Sequence, residues 1–243
     1  MELKTEEDNY FGLDLGNSGI RVVQLKKSGD KPALATYGDV ETPFALLTSD
    51  SPVDQDKLAE IIKKLVNDAN ISTKNVVAGL KAANVFSSVI NMPKLSSQEL
   101  AHAIRFQADK YIPMALDQAK LDYFVIGQSP TKEEEMEVLL VATPTNMATK
   151  YLNICQKAGL ELMALDINAI AQARSLVPGD ISAVIVDFGS LATDITVVAS
   201  QIPRLIRSVN VGAKSFKRVV RQNLGLDEDQ ASQFIQKFGL LQT

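Results

Sequence analysis

The sequence predicts a mixed α/β fold built from duplicated β-β-β-α lobes, and three observations predict it. The stretch "YFGLDLGNSGIRVVQL" alternates apolar and polar residues on both sides of a Gly-Asn-Ser-Gly turn, the pattern of two half-buried strands in a hairpin. A second stretch, "AVIVDFGSLATDITVV", repeats the first: with Asp187 set on Asp14, Gly189 falls on Gly16, and the apolar runs 184–186 and 195–198 fall on 11–13 and 22–25. Each copy is followed by a third strand, "PALA" from Pro32 or "PRLI" from Pro203, and then by an amphipathic helix. Internal repetition is stronger evidence of architecture than any single motif.

Residues 1–9 are polar and acidic and read as a loose tail. Strands are expected over 10–15, 20–26 and 33–40, followed by a loop, "ETPFALLTSDSP", with Pro43 and Pro52 near its ends. The helix after it, from Val53, puts Leu58, Ile61, Ile62, Leu65 and Val66 on one face, with Asp54 as the expected N-cap. Strands over 76–80 and 85–90 flank a "KAAN" turn. The next helix is capped by Ser96 or Ser97, carries Glu99 in its first turn, and must stop before Pro113, because a residue preceding proline avoids the helical region. "KLDYFVIGQS" and "EMEVLLVATP" form an expected antiparallel pair around the charged loop "PTKEEE". A helix over 146–158 ends at Gly159, a strand "LELMALDI" follows, and the helix "NAIAQARSLV" is stopped by "PGD". In the second repeat the helix spans 214–224.

Composition narrows the function classes. The 243 residues carry a net charge of −4, which gives no overall field favouring nucleic acid. The basic cluster Arg204, Arg207, Lys214, Lys217, Arg218 and Arg221 has no aromatic stacking platform beside it and reads as solvated helix-face charge. One cysteine, Cys155, and one histidine, His102, argue against a zinc site and against an intramolecular disulfide. Cys155 reads as core packing and points to a reducing compartment; His102 reads as a helix-surface residue. The N-terminus has no signal-peptide core and no stretch reaches about 18 apolar residues, so membrane association is expected only through a partner.

Two Asp-x-Gly hairpin tips, one per repeat, are expected to face each other across a cleft. Glycine-rich turns present backbone N–H groups that cradle phosphate, and a carboxylate at the lip can order the waters of a magnesium ion. Phosphoryl chemistry needs mostly positioning and charge neutralisation, so the scarcity of His and Cys is no obstacle.

The segments "FGLDLGNSGIRVVQL", "INMPKLSSQELAHAIRFQADKYIP", "LDYFVIG…EVLLVAT", "AGLELMALDINAIAQAR" and "AVIVDFGSLATDITVV" together resemble the PilM family, the actin-like, FtsA-related cytoplasmic component of type IV pilus assembly. The "MP…EL…YIP" segment is the most specific of them. The resemblance implies an actin-like (RNase H-like) fold, with a first lobe over 10–80 and 160–180, an inserted subdomain over 81–159, and a partial second lobe over 181–243. It implies ATP and Mg²⁺ between the lobes. Gly16, Asn17, Ser18, Gly189, Ser190 and Thr193 match the phosphate motifs, and Asp14 and Asp187 match the positions that hold the metal through water. It further implies that a groove beside the insert captures the N-terminal peptide of a PilN-like bitopic inner-membrane protein, with other platform proteins and a motor as partners.

Departures from the family pattern point to weak nucleotide binding. Leu191 and Ala192 stand where hydroxyl residues are usual, Asn168 where an acid is usual, and Ser232 and Ile235 where Glu and Lys would reach the ribose. The strands completing the second sheet and the turn for adenosine are missing from the pattern. Either the chain is a shortened one or another chain completes the lobe, and the open edge is an expected pairing site. The competing reading is a sugar or acetate kinase of the same superfold, for which Asp166 is the nearby candidate base.

Overall fold

The computed structural model describes residues 9–29 and 31–239. Of the expected tail, residues 1–8 lie outside this range, while Asn9 is tied down: it accepts Gln24 Nε2 at 2.8 Å through Oδ1 and Thr73 Oγ1 at 2.8 Å through its carbonyl.

The first repeat supplies β1 (Phe11–Leu15), β2 (Gly19–Ser28) and β3 (Lys31–Glu41), antiparallel in sequence order. Two later strands, β4 (Asn75–Leu80) and β8 (Glu161–Ile167), join them in parallel with β1, so the five-stranded sheet runs β3-β2-β1-β4-β8. One face is covered by α2 (Pro52–Asp68) and α4 (Thr145–Lys157) over a core that includes Phe11, Ile20, Leu58, Ile62, Val76 and Ile154. Each such side chain, fully buried, contributes about 1.5–3 kcal/mol of transfer free energy. The opposite face is open: Tyr37 is 68% and Met163 55% exposed.

Between β4 and β8 the chain makes a second sheet, β5 (Phe86–Pro93), β6 (Ala119–Gln128) and β7 (Glu135–Pro144), antiparallel in the order β5-β7-β6. Helix α3 (Ser97–Ala108) lies on it through Leu100, Ile104 and Ala108. Ser96 is its cap: the Ser96 hydroxyl accepts the Glu99 N–H, and the Glu99 carboxylate accepts the Ser96 N–H at 3.0 Å. The second repeat forms β9 (Ser182–Phe188), β10 (Thr193–Ala199) and β11 (Ile202–Val209) in the order β11-β10-β9, then α6 (Ala213–Leu224) and α7 (Glu228–Phe238). Its register reproduces the first: Asp14 faces Arg21 and Leu15 faces Ile20, as Asp187 faces Asp194 and Phe188 faces Thr193.

Local expectations need three corrections. The "ETPFALLTSDSP" loop contains a helix, α1 (Phe44–Thr48), too short to show periodicity in sequence. Ser51, not Asp54, is the N-cap of α2, because Pro52 takes the first helical position; Asp54 instead binds Ser49 Oγ at 2.7 Å within the first turn. β5 continues to Pro93, three residues past its expected end, because it pairs with β7 along its whole length.

One element belongs to both repeats. Helix α5 (Asn168–Leu176) leaves β8 directly; Ala169 packs with Ile206 of β11, and Ala173 and Val177 pack with Val198 of β10. Among the described residues no helix is long and apolar enough to cross a membrane. Cys155 is 1% exposed in the α4 core, and burial pushes its thiol up to about 11. At pH 8 the thiolate is then about a thousandth of the population. Maleimide labelling at pH 8 is therefore expected to be negligible on the folded chain and complete in urea; fast labelling without denaturant would contradict this burial.

Candidate functional site

Parallel strands β1, β4 and β8 end side by side, and the site lies at their carboxyl ends, where sheets of this kind bind ligands. The turn Gly16–Ser18 leaves β1 here. Its tightness explains Gly16: a Cβ there would sit 2.9 Å from the Gly19 carbonyl and 2.9 Å from the Arg21 guanidinium. Arg21 reaches back to Asp14, NH1 to Oδ2 3.5 Å. The other Asp14 oxygen accepts Asn168 Nδ2 at 3.3 Å. Gly79, opposite Asp14 on β4, makes room for that amide: a Cβ on Gly79 would fall 2.0 Å from Asn168 Oδ1.

The second turn, Gly189–Ala192, is closed by Gly189 N–H donating to the Ala192 carbonyl at 2.9 Å. The carbonyls of Gly189 and Ser190 accept the first N–H groups of α6, from Ala213 and Lys214. Thr193 donates its hydroxyl to the Val211 carbonyl at 2.6 Å, so that side chain staples the turn to the start of α6. Asp187 Oδ2 accepts Gln172 Nε2 at 2.7 Å. Asn168 and Gln172 are four residues apart, on one face of α5. A single helix thus touches both cradle aspartates, Asp14 with one amide and Asp187 with the other.

The geometry adds two residues that sequence reasoning missed. Asp194 stands opposite Asp187 where the first repeat has Arg21, and its Oδ1 is buried with no hydrogen-bond partner. The repeat carried this signal: aligning the polar positions as well as the glycines sets Asp194 on Arg21. Lys81, just past β4, donates from Nζ to Asn17 Oδ1 at 2.6 Å. Burial holds its ammonium below the ordinary lysine value and Lys150 adds to that, while Asp14 and Asp194 oppose it.

Other residues singled out in the sequence have partners of their own. Ser232 donates back to the Glu228 carbonyl at 2.8 Å within α7. Asp166 is paired with Arg174 and accepts the Ile167 N–H at 2.8 Å. Of the basic cluster, Arg204 pairs with Glu137, and Lys217 and Arg221 lie 3.7 and 3.9 Å from Glu228.

Beside the site runs a groove of about 1850 Å³. Its floor is the open face of the five-stranded sheet, with Val23, Val77 and Met163; one wall is β6 and β7, and the β10–β11 turn closes the other side. Lys120, Asp122 and Arg174 line it among apolar side chains, and Asp14 and Asn168 also belong to its lining.

Against known proteins, residues 12–240 match the family model described as type IV pilus assembly protein PilM. The chain belongs to the PilM family. A structure of a PilM–PilN type IV pilus biogenesis complex is 25% identical, with TM-score 0.82, over 96% of this chain and 71% of that one. The cytoplasmic domain of EpsL, an inner-membrane component of the type II secretion system of Vibrio cholerae, matches 90% of this chain and 77% of that one at 12% identity and TM-score 0.54. The ethanolamine utilization protein EutJ from Carboxydothermus hydrogenoformans matches 92% of this chain and 59% of that one at 16% identity and TM-score 0.52. The fold of this PilM-family chain is actin-like, with the mixed five-stranded sheet of that fold.

The site residues fit a magnesium polyphosphate. Both turns are tight backbone cradles, and Asp14 and Asp187 keep acceptor capacity beyond their amide partners. Among the described residues no three His, Cys, Asp or Glu side chains converge. The Gly79–Asn168 contact supplies a test of the local geometry. Gly79→Ala is expected to destabilise the chain by about 1–3 kcal/mol in urea unfolding. Adding Asn168→Ala should recover most of that loss; strictly additive effects would show that the two residues do not press on each other.

Proposed function

We propose that this chain is a nucleotide-responsive adaptor of the type IV pilus inner-membrane platform, which captures the cytoplasmic N-terminal peptide of a PilN-like bitopic membrane protein. The observation that carries this reading is the match across nearly the whole chain to a protein solved as a PilM–PilN complex. The groove between the five-stranded sheet and the β5–β7 insert supports it: a concave, apolar trough with a few charged side chains suits an extended or irregular peptide. In this reading the units are 10–80 with 160–180, 81–159, and 181–243, and the insert forms one wall of the peptide site. The chain works in the cytoplasm and meets the inner membrane through its partner.

The cleft at Asp14 and Asp187 takes the phosphates of ATP. Gly16, Asn17, Ser18 and Ser190 hold phosphate oxygens mainly through their backbone, Gly189 shapes the second turn with its N–H closed onto Ala192, and a bound magnesium ion neutralises the phosphate charge. Binding is weak because Leu191 and Ala192 bring no side-chain donors to the second turn. Hydrolysis is negligible because an amide, Asn168, faces Asp14 where a carboxylate base would be needed. Asp166 does not rescue a kinase reading, since its carboxylate is committed to Arg174.

Calorimetry with the N-terminal cytoplasmic peptide of the cognate PilN-like protein tests the adaptor. Binding at micromolar peptide is expected, weakened about tenfold or more by Val23→Arg on the groove floor. No heat at high micromolar peptide with folded protein would overturn it. Phosphate release from ATP, with or without hexoses or acetate, is expected to stay at background; turnover would restore the kinase reading.

A further inference from the structure

We infer that Lys81 is a phosphate-binding side chain of the cleft, an inference that rests on the nucleotide reading proposed above. Lys81 is the first residue after β4, and β4 runs parallel to β1, so the lysine emerges beside the first glycine-rich turn. Its ammonium is held over that turn by Asn17 Oδ1 at 2.6 Å, a contact between residues 64 apart in sequence.

The charge balance around Lys81 is incomplete. Its side chain is half-buried, yet no carboxylate among the described residues forms an ion pair with it within 4 Å. An ammonium has three donors, and the Asn17 amide is a neutral acceptor for one of them. A partly desolvated charge without a counter-ion is costly, and an anion entering the cleft supplies that counter-ion. The second lobe presents the complement: Asp194 Oδ1 is buried with no hydrogen-bond partner, and both Asp14 and Asp194 act electrostatically on Lys81. One cation on the first lobe and one carboxylate oxygen on the second are thus left unmatched. A polyphosphate that carries its own hydrated cation satisfies both, the phosphate at Lys81 and the hydrated cation toward Asp194. Lysine suits the phosphate role as a compact point charge that tolerates several phosphate positions.

Amide NMR titrations with inorganic tripolyphosphate, ATP and adenosine, each to high millimolar, test this on the whole chain. Tripolyphosphate and ATP are expected to move the Gly16, Asn17, Ser18 and Gly189 amides of the wild-type protein. Lys81→Gln should weaken both ligands about tenfold or more, the loss of a charge-assisted hydrogen bond, and leave adenosine shifts unchanged. Lys81→Arg should retain most of the affinity. Wild-type affinity for tripolyphosphate in a folded Lys81→Gln protein would overturn the role of Lys81 and leave the nucleotide reading standing. No shift in the wild-type chain with either phosphate ligand would overturn both. Should Lys81→Gln fail to fold, the side-chain Cε resonance of Lys81 in the wild-type protein decides. It should move with the same midpoint as the Gly16 amide, and a stationary resonance overturns the inference.

Discussion

Two amides on one turn of one helix tie the molecule together. Asn168 donates to Asp14 of the first repeat, and Gln172 donates to Asp187 of the second. Both carboxylates are partly withdrawn from water, and a hairpin tip that turns away from α5 exchanges its amide donor for water. The same helix is wedged by Ala169 and Ala173 against the second sheet and continues directly from β8 of the first. Small residues on its packed face let the sheets approach it closely, and polar residues on its other face reach both tips. The cleft therefore has a fixed back wall.

The two repeats share a register but not a charge pattern. In the first, Asp14 is offset by Arg21 across the hairpin. In the second, Asp187 faces Asp194, so the lobe presents two carboxylates at equivalent positions. Like charges opposite each other on a sheet are unfavourable, and a nearby cation relieves them. This asymmetry turns a duplicated scaffold into a polarised cleft. The groove, by contrast, comes from the open face of the five-stranded sheet, and it meets the cleft at Asp14 and Asn168. The two candidate binding regions adjoin each other at those residues.

Much of the fold was legible because it is local. The hairpins, the glycine-rich turns, the α3 capping box and the repeat each lie within a short window, where alternation and turn chemistry act directly. The short α1 was missed for the same reason in reverse: five residues between prolines carry too little periodicity to separate helix from loop. The choice of Ser51 over Asp54 was readable from Pro52, which favours the first helical position.

The sequence by itself determined the strands, the two Asp-x-Gly tips and their equivalence, since backbone preference and apolar periodicity are properties of neighbouring residues. The family resemblance set β5 apart from β4 in an insert over 81–159, but the residue pattern did not determine that β8 pairs with β4 in parallel after the whole insert. That pairing joins segments far apart in the chain, and it depends on which buried faces complement one another. Only the tertiary structure brought Asn168 onto Asp14, Gln172 onto Asp187 and Lys81 onto Asn17. Each of these residues is an ordinary polar side chain in its own segment. It acquires a role only where the carboxyl ends of parallel strands converge, and that convergence is set by the packing of the whole sheet.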